Sequence, residues 1–156
     1  MSINTNVAIC LWFDGQAEEA AEFYTSLIPD SEIRNISRPA EDQPALMVMF
    51  TLGGVPFQAL NGGPQYKHSE AVSISVTCKD QEETDRLWDA LIADGGSEGK
   101  CAWLKDRFGV SWQIVPAVLS TYIGSSDREA SGRAMKAMLG MNKIIISELE
   151  AAFNGK

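Results

Sequence analysis

Val7-Ala8-Ile9-Cys10-Leu11-Trp12 is matched 65 positions later by Val72-Ser73-Ile74-Ser75-Val76-Thr77, and Gly54-Val55-Pro56-Phe57-Gln58 is matched 55 positions later by Gly109-Val110-Ser111-Trp112-Gln113. A third pair lies between them: Phe23, Tyr24, Leu27 and Ile28 correspond in order to Leu87, Trp88, Leu91 and Ile92 at an offset of 64. Short apolar strands resemble one another by chance, but three matches in the same order, with every change of offset falling in a loop, are what duplication of one fold unit leaves behind.

The pattern around those matches gives each unit its elements. Val7 to Phe13 reads as a strand stopped by Asp14-Gly15. From Gln16, the residues Ala17, Ala20, Ala21, Phe23, Tyr24, Leu27 and Ile28 follow helical spacing, with Glu18, Glu19 and Glu22 on the other face, and Pro29-Asp30 ends the helix. Ser31 to Arg38 is a poorly defined strand containing Ile33 and Ile36. Leu46 to Leu52 and Val55 to Leu60, separated by Gly53-Gly54, form a β-hairpin. In the second unit a strand from Val72 to Cys78 precedes a helix carrying Leu87, Trp88, Leu91 and Ile92, which ends at Gly95-Gly96. After Pro116 the pattern is helical: a short piece with Val118, Leu119 and Tyr122, then Asp127 to Leu139, then Asn142 to Phe153 with Ile145, Leu149 and Phe153 on one stripe. Met135, Met138 and Met141 read as gap-filling core.

The fold class expected is therefore α+β: two βαβββ units, residues 1–64 and 65–116, pairing into a barrel-like sheet around a cavity, and a helical tail at 117–156, together one structural domain. Pairing within one chain and exchange between two chains bury the same faces, and both stay open. By pleat alternation Val7, Ile9 and Leu11 pack on a helix, while Ala8, Cys10 and Trp12, and likewise Ser73, Ser75 and Thr77, face the cavity.

Composition excludes several classes of function. Thirteen basic against 21 acidic residues give a net charge of -8, and the scattered Lys100, Lys105 and Arg107 make no basic patch, so neither nucleic acid nor an anionic membrane is an expected partner. No run approaches the ~20 apolar residues of a membrane span, and the start lacks the features of a secretory signal, so a cytoplasmic location is expected. Cys10, Cys78 and Cys101 are odd in number, far apart and without a metal-binding spacing, as suits reduced thiols with no assigned chemistry.

Leu11-Trp12-Phe13-Asp14-Gly15-Gln16-Ala17-Glu18-Glu19-Ala20 followed by Phe23-Tyr24, and above all Trp103-Leu104-Lys105-Asp106-Arg107-Phe108-Gly109-Val110-Ser111-Trp112-Gln113-Ile114-Val115-Pro116, resemble the PhnB-like, or demethylubiquinone methyltransferase-like, branch of the glyoxalase/bleomycin-resistance/dioxygenase (vicinal oxygen chelate) superfamily. Ala137-Met138-Leu139-Gly140-Met141-Asn142-Lys143-Ile144 also resembles that branch. The resemblance implies paired βαβββ units, a cavity between them and a homodimer. In metal-using relatives, His and Glu side chains on the first and last strands hold a divalent ion. The resemblance carries those positions onto Ala8, Ser73, Gln58 and Gln113, which supply no charge, so no metal and no cofactor are expected. No Gly-rich loop follows a first strand to hold a methyl-donor nucleotide.

The expected site is thus a metal-free pocket for an unidentified small molecule, with Gln58, Gln113, Ser73, Ser75, Cys10, Trp12 and Trp103 as candidates, and Trp112 as a further wall candidate. Two alternatives stand beside it. The two glutamines bond each other or a buried water, and Trp112, on the opposite pleat from Gln113, packs under a helix like its repeat mate Phe57. Asp106 reads as a turn-forming residue rather than a catalytic base, and His68 as a surface loop residue. The competing functional reading is an enzyme of the superfamily, whether a lyase, isomerase or dioxygenase with an atypical metal site, or a methyltransferase.

Overall fold

In the computed structural model, which describes residues 5–156, the chain divides between Lys67 and His68 into two units. The first contains β1 (Ile9–Phe13), α1 (Ala17–Leu27), β2 (Glu32–Ser37), β3 (Met47–Leu52) and β4 (Val55–Asn61). Its sheet has the order β1-β4-β3-β2, with β1 parallel to β4 and the other neighbours antiparallel. Small residues let α1 lie close to the sheet: Ala17, Ala20 and Ala21 are buried with Tyr24, over Leu11, Phe13, Val48, Phe50, Phe57 and Ala59. Gly53 and Gly54 both have positive φ (53° and 80°), the two-residue hairpin geometry that only glycine adopts without strain.

Two departures from the sequence pattern have local causes. Ile33 and Ile36 are three apart, which a regular strand would send to opposite faces. A bulge between Ile33 and Asn35 restores them to one face, opposite Phe50 and Val48, so β2 is a strand despite its poor alternation. The strand β1 begins at Ile9, not Val7. It is an edge strand whose first paired residue is Ile9, so Val7, 80% exposed, precedes the ladder and Ile9 is 44% exposed, and only Leu11 and Phe13 pack beneath α1.

The second unit repeats the arrangement. It contains β5 (Ser73–Cys78), α2 (Gln81–Ile92), β6 (Ser97–Glu98), β7 (Trp103–Lys105) and β8 (Ser111–Pro116), in the sheet order β5-β8-β7-β6. Thr84, Leu87, Trp88 and Leu91 form the buried stripe of α2, against Leu104, Trp112 and Ile114. Asp80 caps α2 by accepting from the Glu83 N–H at 2.9 Å, while the Glu83 carboxylate accepts from the Lys79 N–H at 2.8 Å. The fold is α+β, two βαβββ units followed by helices.

Those helices, α3 (Leu119–Ile123), α4 (Arg128–Gly140) and α5 (Ile146–Phe153), belong to the second unit. Ala102, Leu119, Met141, Ile144 and Leu149 form one buried cluster, with Val115 of β8 packed against it. The helix expected from Asn142 starts only at Ile146. Residues 142–145 are held out of it from two sides: Ala102 N–H donates to Asn142 O at 2.9 Å, while the Gln81 carboxamide donates to Ile144 O at 3.0 Å and accepts from Ile146 N–H at 2.8 Å. Ile144, not Ile145, is consequently the fully buried isoleucine. Met141 is core, whereas Met135 is 37% exposed.

Candidate functional site

The strand registers of the two units are the same at the expected ligand positions. In the first sheet Gln58 stands between Cys10 on β1 and Met49 on β3. In the second, Gln113 stands between Ser75 on β5 and Trp103 on β7. Each glutamine lies on the sheet face opposite the buried stripe, since its chain neighbours Phe57 and Trp112 are the residues that pack under helices. The structure therefore gathers Cys10 and Gln58 in one row and Ser75, Gln113 and Trp103 in its counterpart. Met49 belongs to the first row, a place legible from the two-residue turn, which sets the hairpin register.

The two rows differ in how the carboxamides are used. Gln113 Nε2 donates to Ser73 Oγ on the adjacent strand at 2.9 Å. The position equivalent to Ser73 in the first repeat is Ala8, whose side chain has no acceptor, and the Gln58 side chain makes no hydrogen bond among the described residues. The Gln58 carboxamide is half-buried, and its donors and acceptor are not engaged within the described residues. Cys10, in the same row, is exposed rather than buried, and partial desolvation pushes its thiol pKa up. It is therefore a weaker nucleophile at neutral pH than an ordinary cysteine.

Trp12 lies in the next row, beside Leu60. Its indole N–H donates to Gly63 O at 2.8 Å and its ring meets Tyr66 edge-on at 4.9 Å. Gly62 permits this seat, because a Cβ there would fall 2.2 Å from Trp12 Cζ2. Asn61, which the sequence analysis did not single out, anchors the same loop: its Oδ1 accepts from Ala17 N–H at 2.9 Å and its Nδ2 donates to Ala45 O at 2.8 Å. Gln16 offers α1 no side-chain cap, so the cap arrives from the end of β4, a link no local pattern signals.

Trp112 is not a pocket wall. It is fully buried beneath α2, and its indole N–H donates to Asp106 Oδ2 at 2.9 Å. Asp106 Oδ1 accepts from the N–H groups of Phe108 and Val110 at 2.9 and 3.0 Å. A 3% exposed carboxylate with three donors organises the β7–β8 turn and ties it to the core.

The residues present do not fit the divalent metal that the resemblance implies. Ala8 and Ser73 offer no anionic donor, Gln58 and Gln113 are neutral, and among the described residues no group of three or more His, Cys, Asp or Glu side chains is placed to hold an ion. A methyl-donor nucleotide finds no cradle of the usual kind either. At the helix start that follows each unit's first strand, a backbone N–H is already taken, by Asn61 on α1 and by Asp80 on α2.

Comparison with known proteins places this geometry. Residues 5–115 match the family model described as 3-demethylubiquinone-9 3-methyltransferase. The Bacillus cereus PhnB protein, which carries the same description, is 34% identical with a TM-score of 0.66, over 72% of this chain and 100% of that one. Protein PA1353 of Pseudomonas aeruginosa shares the fold at 23% identity and a TM-score of 0.58, over 72% and 98% of the two chains. A glyoxalase/bleomycin resistance protein of Albidiferax ferrireducens matches at 18% identity and 0.46, over 67% and 92%. No curated protein matches the chain. With two βαβββ units in the same register and a family match over more than half its length, the chain belongs to the 3-demethylubiquinone-9 3-methyltransferase (PhnB-like) family.

Proposed function

We propose that this protein binds a small molecule without a metal, on the sheet face that carries Gln58. The observation behind this reading is the half-buried carboxamide of Gln58, without a hydrogen-bond partner among the described residues, at a position where metal-using relatives are expected to carry a ligand. Cys10, Met49 and Leu60 around it supply apolar and polarisable surface, which suits a neutral or amphipathic molecule whose one or two polar atoms pair with the amide. Three free thiols and the absence, among the described residues, of a helix long and apolar enough to cross a membrane agree with a protein of the cytoplasm. A homodimer is the assembly proposed, testable by light scattering. The second reading, methyl transfer, is favoured by the description of the matching family.

Elemental analysis and a thermal-shift screen of the purified protein separate these readings. The expected result is no stoichiometric metal, and stabilisation by amphipathic small molecules that Gln58→Leu removes. Stoichiometric Zn, Ni, Fe or Mn, lost on changing Gln58 or Gln113, overturns the metal-free reading. Stabilisation by S-adenosylmethionine supports methyl transfer instead, a ligand at 100 times its Kd adding about 2.7 kcal/mol.

A further inference from the structure

The second unit contains a cavity of about 150 Å³ whose lining includes Glu70, Ser97, Trp103, Lys105 and Ser111. Ser97, Lys105 and Ser111 are register neighbours across β6, β7 and β8, so their side chains stand on one face of the sheet, on strands about 5 Å apart. Ser111 is 1% exposed and its hydroxyl has no hydrogen-bond partner. Leaving such a group unsatisfied is costly, and a native fold that does so usually keeps it for a ligand or an ordered water. Lys105 Nζ contributes a cationic donor beside it, and the carboxylate of Glu70 sits on that ammonium at 2.5 Å.

The geometry points to this cavity as a subsite for a small carboxylate, with the side chain of Glu70 as an internal placeholder that the ligand displaces. Three features carry it. The polar side chains of the Ser97–Lys105–Ser111 row are an ammonium and two hydroxyls, a donor set that suits an oxyanion. The carboxylate of Glu70, which pairs with the ammonium, lies ahead of β5 on an exposed side chain and can leave without disturbing the core; Glu98 also lines the cavity but stands on the other pleat, with its oxygens accepting from Trp88 Nε1 and Asn142 Nδ2. The cavity holds about five waters' volume at ~30 Å³ each, which suits a molecule of a few heavy atoms. The hydrogen bond from Lys105 holds the Glu70 carboxyl below the usual carboxylate range, so the placeholder is charged at neutral pH.

This inference goes beyond the Gln58 reading, since it concerns the other unit, and the two fail separately: a resident metal overturns the metal-free site and leaves the cavity chemistry as it is, whereas a silent cavity leaves Gln58-dependent stabilisation intact. The test is an amide ¹H–¹⁵N titration of the full chain with sodium acetate, against sodium chloride at matched ionic strength. Saturable shifts at Trp103, Lys105 and Ser111 are expected with acetate alone. Glu70→Gln should tighten acetate binding by about two- to fivefold, the range in which an exposed ion pair competes, and Lys105→Met should abolish saturation. Ser111→Ala should weaken acetate binding while raising the Tm of the free protein, because it deletes an unsatisfied buried hydroxyl. Equal shifts with chloride, shifts with ethylammonium in place of acetate, or an affinity that Glu70→Gln leaves unchanged or lowers would each overturn the proposal.

Discussion

Replacing Asp106 by asparagine tests the claim that the most conspicuous acid of the Trp103–Pro116 segment is structural. Asp106 Oδ1 holds two backbone N–H groups and Oδ2 holds the Trp112 indole, at 2.9 to 3.0 Å. Asparagine is isosteric but has one acceptor oxygen. If that oxygen stays with the backbone, its NH₂ faces the indole N–H; if it turns to the indole, its NH₂ faces two backbone donors. Either orientation leaves a donor against a donor in a buried site, and the remaining bonds lose their charge assistance, for a cost of about 2–3 kcal/mol. Asp106→Ala strands the buried N–H groups of Val110 and Trp112 and should cost about 3–5 kcal/mol, a large part of the stability of an ordinary domain. Urea unfolding followed by circular dichroism measures both. The decisive comparison is the double-mutant cycle: in a Trp112→Phe background the indole donor is gone, and the cost of Asp106→Asn should fall by about 1–2 kcal/mol. An Asn cost below about 0.5 kcal/mol, or one unchanged in that background, would refute the reasoning.

Asn61→Ala removes both the cap on α1 and the bond to Ala45 O, and should lower stability by about 1–2 kcal/mol in the same urea assay. Gly62→Ala drives a Cβ into the Trp12 ring; the indole must leave its bond to Gly63, seen as a red shift and greater quenching of tryptophan emission by acrylamide. Asp85 is held below its ordinary pKa first by the hydrogen bond from Gln81 and then by that from Lys143. A depressed carboxylate stabilises the fold above its unfolded pKa, near 3.9, and loses that contribution as pH falls through the folded value. Stability of the second unit should therefore hold from pH 7 to 5 and drop below about pH 4, and Asp85→Asn should shrink the drop.

The unit count, the helix positions and the hairpin were legible because each is written in a local period: the alternation around Gly53-Gly54, the 3.6-residue stripe of α1, and the matched order of the two repeats. Gln58 and Gln113 could be paired as equivalents for the same reason. The partners of each glutamine could not, since Ser73 reaches Gln113 across a parallel strand pair whose sequence separation is 40 residues. Asn61 at the start of α1 and Gln81 against residues 144–146 were invisible likewise: a carboxamide names no partner until the fold brings one to it.

By itself the amino-acid sequence determined that one βαβββ pattern occurs twice and that the expected metal positions carry no charge, because periodicity and residue chemistry are properties of the chain. Only tertiary structure decided that the Gln113 carboxamide is engaged while that of Gln58 has no partner among the described residues, that Asp106 holds a turn to Trp112, and that the hydroxyl of Ser111 is buried beside Lys105 without a partner among those residues. Those outcomes depend on which strands lie side by side and in what register. Such pairings are made between residues far apart in the chain, where no local pattern records them.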